Sequence, residues 1–205
     1  MAPLDPARVR ANLEAVRAEV GPDVEILAAT KYLPLDQVGV LAEAGVTLAG
    51  ENRAQDLEAK AARHPELTWD FIGQLQSRKV KAILPHVRYV HSVGSDSALR
   101  ELARHGTPET KVLVQVNVAR EDGKAGVDPG ELPGFLERCP VAVVGLMTMP
   151  PYAEDPEDSR RWFAALRELA ADHGLPQLSM GTTQDYRVAA QEGATIVRIG
   201  SRLYA

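Results

Sequence analysis

The chain has 205 residues, 45% of them hydrophobic and 25% charged, the balance of a folded globular protein rather than a disordered one. Its 23 Lys and Arg against 28 Asp and Glu leave a formal charge of −5, which argues against non-specific nucleic-acid binding, since that rests on surplus cations neutralising phosphates. The single cysteine, Cys139, excludes an internal disulfide and a CxxC metal site, and no apolar run approaches the roughly 20 residues that cross a bilayer.

Residues 1–5 lack the basic start and apolar stretch of a signal peptide, so a cytoplasmic protein with one domain over 1–205 is the expectation. Asp5, with Pro6 in the first helical position, opens an amphipathic helix reaching Val20, with Val9, Leu13, Val16 and Val20 on one face. Eight short runs rich in Val, Ile or Leu follow, at 24–30, 46–49, 69–72, 89–92, 112–118, 141–148, 177–180 and 195–199. Helix-like stretches separate them, at 35–44, 54–63, 77–84, 97–104, 158–173 and 185–192, several closing on a glycine such as Gly45, Gly106 or Gly193. Residues 122–134 and 150–158 read as surface loops.

Strands alternating with helices at this spacing imply right-handed βαβ units and a parallel sheet. Eight units predict an α/β fold of the (β/α)8, TIM-barrel type, with an open doubly wound sheet as the rival. Only four residues follow Ser201, too few for a full eighth helix, so the N-terminal helix is expected to cover the gap.

In a parallel barrel, function collects where the strands end. Alternation places Leu27, Ala29 and Lys31 on one face, with Lys31 at the mouth, where desolvation would favour condensation with a carbonyl. A lysine snorkelling at a strand end is the plainer alternative. Arg198 lies inside an apolar strand, and its charge demands either an internal acid or a ligand. Ser179-Met180-Gly181-Thr182-Thr183 and Gly200-Ser201 offer hydroxyls and backbone N–H groups beside a helix start, which suits a phosphate; Thr182 or Thr183 capping that helix would account for them equally.

Other chemistry lacks its signature. There is no GxxxxGK[ST] or GxGxxG, and Gly94-Ser95-Asp96-Ser97 is not a nucleophile elbow. His64, His86, His91, His105 and His173 form no HxH or HExxH pair, so nothing supports a metal site. A lysine, an arginine and a phosphate cradle at one rim point to a phosphorylated carbonyl compound. Pyridoxal 5′-phosphate fits, and so does the substrate of a Schiff-base sugar-phosphate aldolase.

The segments Ala28-Ala29-Thr30-Lys31, Gly50-Glu51-Asn52, Phe71-Ile72-Gly73-Gln74-Leu75-Gln76-Ser77 and Val90-His91-Ser92-Val93 stand in order along the chain. Gln115-Val116-Asn117-Val118, Gly145-Leu146-Met147-Thr148-Met149-Pro150-Pro151, Ser179-Met180-Gly181 and Val197-Arg198-Ile199-Gly200 complete the series. In order and spacing they resemble the pyridoxal phosphate homeostasis protein family, over nearly the whole chain. The resemblance implies a fold-type III barrel similar to the N-terminal domain of alanine racemase, without that enzyme's C-terminal β domain. It implies Lys31 as the Schiff-base lysine and Arg198 as the partner of the pyridine nitrogen. Phosphate contacts are implied for Ser179, Gly200, Ser201 and Thr183, and a lining role for Asn52 and Met147. Thr182-Thr183 replaces the common Met-Ser, Ser201 a Thr, Arg53 an aromatic residue and Gln74 a His.

The implied function is to hold, buffer and deliver the vitamin B6 cofactor without robust turnover. The alternative is a fold-type III racemase or decarboxylase. Such a carrier is expected to be a monomer meeting cofactor-dependent apoenzymes transiently, with no nucleic-acid or membrane partner. An arginine facing the ring nitrogen weakens the cofactor as an electron sink, and racemisation needs a second acid or base on the opposite ring face. Tyr32, next to Lys31, is expected to point away from the lysine's face.

Overall fold

The computed structural model describes residues 3–205; Met1 and Ala2, the start of the segment read above for signal-peptide character, lie outside the described residues. Eight strands, β1 (Glu25–Ala29), β2 (Leu48–Glu51), β3 (Thr68–Phe71), β4 (Tyr89–Val93), β5 (Lys111–Gln115), β6 (Ala142–Met147), β7 (Gln177–Thr182) and β8 (Ile196–Ile199), hydrogen-bond in chain order and close into a parallel barrel. Closure pairs β1 with β8 and sets Leu27 beside Arg198. The open-sheet rival is therefore excluded.

Helix α1 (Pro6–Val20) is started by Asp5, whose carboxylate accepts from the Ala7 N–H at 3.0 Å, and it buries Val9, Leu13, Val16 and Val20. The remaining helices are α2 (Gly39–Glu43), α3 (Ala54–Arg63), α4 (Val80–Ile83), α5 (Asp96–His105), α6 (Leu132–Arg138), α7 (Arg160–Asp172), α8 (Tyr186–Gln191) and α9 (Ser201–Tyr204). Since α9 is one turn long, α1 packs against α2, α8 and α9, in the place of a full eighth helix. Asn12 secures the junction by donating to the carbonyls of Leu203 and Ala205 at 3.1 and 3.0 Å. Among the described residues no helix is long and apolar enough to cross a membrane.

Several regions depart from the expectation: the stretches at 35–44 and 77–84 keep only the short α-helices Gly39–Glu43 and Val80–Ile83, and the strand expected over 46–49 lies at Leu48–Glu51. Residues 132–138 form a helix where a loop was expected as far as Gly134, because Pro133 is tolerated in a first turn and Leu132 and Phe135 find apolar cover. The strand expected over 112–118 ends at Gln115, and Val116 instead bridges to Val127, which folds the following loop back along the barrel mouth.

Most of the core lies between the barrel and its helices, where Trp69, Phe71, Val112, Phe163 and Val197 are buried. The barrel interior has a smaller apolar layer of Leu27, Leu48 and Ile196, with Ile72 and Tyr89 against it. Gly50 makes that layer possible, since a Cβ there would come within 2.3 Å of the Leu27 side chain. Asp70, His91 and Ser179 are fully buried and Arg198 is nearly so, so the interior is partly polar. That is unusual for a space normally filled by branched apolar side chains.

Candidate functional site

The loops that leave the C-terminal ends of the strands enclose a cavity of about 1050 Å³. It reaches the upper end of the roughly 300–1,000 Å³ typical of small-molecule sites. Lys31, Asn52, Met147, Thr183, Arg198, Gly200 and Ser201 all line it. Ser179 does not. It is buried below, and its hydroxyl lies 2.8 Å from His91 Nδ1 and 2.5 Å from Arg198 Nη1. Gln74 and Thr182 also line the cavity. Arg53 stays outside and pairs with Asp56 at 3.9 Å.

Lys31 sits in the turn after β1 and is exposed at the mouth. Tyr32 lines the same cavity, its ring centre 4.6 Å from Lys31 Nζ, contrary to the expectation that it points away. The reason is local: β1 ends at Ala29, so strand alternation no longer governs residues 31 and 32. Beneath this turn lies a buried ion pair. Lys60 Nζ donates to Glu51 Oε2 at 2.6 Å and to the Thr30 carbonyl at 2.8 Å, while the Thr30 hydroxyl donates to Glu51 Oε2 at 2.8 Å. Glu51 Oε1 accepts from the Asn52 N–H at 2.6 Å. One carboxylate thus clamps the residue before Lys31 to the residue that lines the cavity beside it.

Arg198 forms no ion pair among the described residues. Its Nη1 donates to the Ser179 carbonyl at 2.8 Å and to the Ser179 hydroxyl, and its Nη2 to the Thr148 carbonyl and Met149 Sδ, each at 2.9 Å. Burial pulls its pKa down to about 10, against the attraction of Asp185, so the group stays cationic at neutral pH. An internal acid as direct partner, one of the two readings open from sequence, is absent among the described residues.

The anion cradle is more restricted than the sequence suggested. Asp185 accepts from the Thr182 N–H at 2.7 Å and the Thr182 hydroxyl at 3.1 Å, so this turn already holds a carboxylate. The Thr183 hydroxyl accepts from the Gly200 N–H at 3.1 Å, joining the loops after β7 and β8. Hydroxyls of Thr183 and Ser201 remain on the wall.

Sequence reasoning missed Asp70 and His91. Burial pushes the Asp70 carboxyl up, but bonds from His91 and Arg88 outweigh it and leave the pKa below the usual carboxylate range. Burial likewise holds the His91 imidazole below its ordinary value despite Asp70. The signal was available: a charged residue within an apolar strand needs a partner, and the argument applied to Arg198 applies equally to Asp70.

This barrel, with a lysine at its mouth and a buried arginine in its last strand, is of the alanine racemase N-terminal type, and that family matches residues 4–205. A pyridoxal phosphate homeostasis protein of Aquifex aeolicus is 40% identical over 195 residues, which cover 88% of this chain and 86% of that one. PipY of Synechococcus elongatus PCC7942, solved with PLP bound and without it, has a TM-score of 0.84 at 31% and 32% identity, covering 96% of this chain and 100% of PipY. The chain belongs to the pyridoxal phosphate homeostasis protein family. Alanine racemase of Corynebacterium glutamicum, at 15% identity and a TM-score of 0.79 over 98% of this chain and 61% of its own, shares the fold.

Proposed function

We propose that this protein binds pyridoxal 5′-phosphate in the mouth cavity and acts in intracellular homeostasis of that cofactor, holding it and releasing it to apoenzymes. The observation that carries the reading is the convergence of Lys31, Arg198 and the Thr183–Gly200–Ser201 wall on one cavity. The cofactor found in PipY and the name shared by the curated relatives support it.

The residues fit the group. Among the described residues Asn52 Oδ1, buried at the cavity, has no hydrogen-bond partner, an orphan acceptor that a ligand hydroxyl would satisfy. A Cβ at Gly200 would meet only the Ala29 Cβ, at 3.9 Å, so the glycine leaves open space where an anion would enter. Lys31 Nζ would hold the aldehyde carbon, Arg198 would face the ring nitrogen, and the Thr183 and Ser201 hydroxyls would take the phosphate. Gly200, whose N–H is donated to Thr183, would leave room for it. Bound there, the cofactor supplies an electrophilic carbon and a conjugated ring.

The chain's own contribution is to bind and orient. Arg198 presents a cation whose proton is retained at neutral pH, which disfavours protonation of a ring nitrogen against it. Glu51 and Lys60 anchor the turn that carries Lys31. A racemase needs a second acid or base across the ring, and the tyrosines of the cavity are poorly placed for that task. Tyr204 donates its hydroxyl to the Ala29 carbonyl at 3.1 Å, and burial pushes its pKa well up. Tyr32 is 77% exposed and lies against the Lys31 ammonium. A carrier in the cytoplasm, monomeric and in transient contact with apoenzymes, follows as the fuller proposal.

The test is a visible spectrum of the purified protein with pyridoxal 5′-phosphate, before and after borohydride, with peptide mapping of the fixed lysine. Label on Lys31 is expected. Label elsewhere removes the assignment, and sustained turnover of L-amino acids removes the carrier reading.

A further inference from the structure

The polar groups inside the barrel form a chain with a single direction. Arg198 can only donate, so Ser179 Oγ accepts from Nη1 at 2.5 Å. An ionised Asp70 can only accept, so a neutral His91 presents Nε2–H to it, and its Nδ1, 2.8 Å from Ser179 Oγ, accepts from the serine hydroxyl. The Nε2–H donates to Asp70 Oδ2 at 3.0 Å. Asp70 also accepts from Arg88 Nε and Nη2 at 3.1 and 2.8 Å and from the Tyr89 N–H at 3.1 Å. Arg88 reaches Glu25, at the opposite end of the barrel from the cavity, at 2.7 Å.

We propose that Asp70, His91 and Ser179 form a relay that fixes the Arg198 guanidinium in the cavity wall and gives it indirect access to the Asp70 charge. His91 is then a positioning residue for the end of the ligand that Arg198 meets. The ligand's identity rests on the pyridoxal phosphate reading; the relay does not.

Packing alone does not account for the arrangement, because apolar side chains would fill a barrel interior at lower desolvation cost. The direct neighbours of Arg198 are two carbonyls, a hydroxyl and a thioether. Of these the hydroxyl alone is made a stronger acceptor by a partner that ends on a carboxylate.

The test has two arms. In cofactor-free protein with 15N-labelled histidine, NMR is expected to show His91 neutral, protonated at Nε2, with an Nδ1 resonance that moves in Ser179→Ala. A proton on Nδ1, or a resonance indifferent to Ser179→Ala, overturns the relay. The second arm is titration with pyridoxal 5′-phosphate. His91→Gln keeps a donor for Asp70 and loses the acceptor for Ser179, whereas His91→Asn sets an acceptor near the Nδ1 position. His91→Gln and Ser179→Ala are each expected to weaken binding about tenfold, and the double variant no further, as in coupled networks. His91→Asn restores the acceptor for Ser179 but not the link to Asp70, so it is expected to bind more tightly than His91→Gln and less tightly than wild type. Additive losses, unchanged affinity in any of these variants, His91→Asn included, or His91→Asn as weak as His91→Gln would each overturn the relay. A wild-type protein that takes no cofactor would remove the functional reading, and the first arm would still decide the relay.

Discussion

Asn52 shows how one atom separates ligand binding from folding. Its Oδ1 is buried without a partner among the described residues, a state that ordinarily costs about 1–3 kcal/mol. Asn52→Ala removes the orphan, so the melting temperature of cofactor-free protein is expected to hold or rise. The same variant is expected to bind pyridoxal 5′-phosphate roughly 3- to 10-fold more weakly, the value of one hydrogen bond. A loss of stability, or unchanged affinity, would show that the amide serves the fold. Ser179 makes the complementary point. Sequence could pair it with a phosphate because the hydroxyl lies near a glycine turn. Its strand parity faces the interior, and there Arg198 and His91 claim the hydroxyl. Which neighbour a hydroxyl finds depends on strands far apart in the chain, and no local pattern encodes that.

Elements repeat the contrast. The helix over 6–20 was legible because cap, proline and apolar face all agree on it. The helix over 132–138 was not, since Gly130, Pro133 and Gly134 argue for a loop until Leu132 and Phe135 are seen to be buried. The joint between α3 and the strand ends was equally hidden: Lys60 reads as an ordinary basic residue near a helix C-terminus, yet its side chain is 5% exposed and paired with a fully buried Glu51. Lys60→Met would strand that carboxylate and is expected to cost about 3–5 kcal/mol, read as a fall in the urea midpoint. Adding Glu51→Gln is expected to recover part of the loss. A single variant as stable as wild type would mean the pair contributes nothing to the fold.

For the molecule as a whole, the interior relay ties stability to acid. Asp70 has a folded pKa below its ordinary value, so its contribution is fully present above the usual carboxylate range and is lost as pH falls through the lowered value. Wild type is therefore expected to lose stability below about pH 4, and Asp70→Asn to flatten that slope while lowering stability at neutral pH. Parallel curves for the two proteins would show that other carboxylates govern the acid limb.

The amino-acid order by itself determined eight alternating strand and helix units, the placement of the first helix and the ring of polar residues at one rim. Those features are written in periodicity, caps and the polar residues at the ends of apolar runs, each readable within a few neighbours. Closure of the strands into a barrel rather than an open sheet was decided by the tertiary structure. Only the closed tertiary structure decided which rim residues reach the cavity, that Ser179 and His91 stand behind Arg198, and that Glu51 and Lys60 brace Lys31 from below. Such contacts join residues 9 to 88 positions apart, and closing eight strands into one ring brings them together.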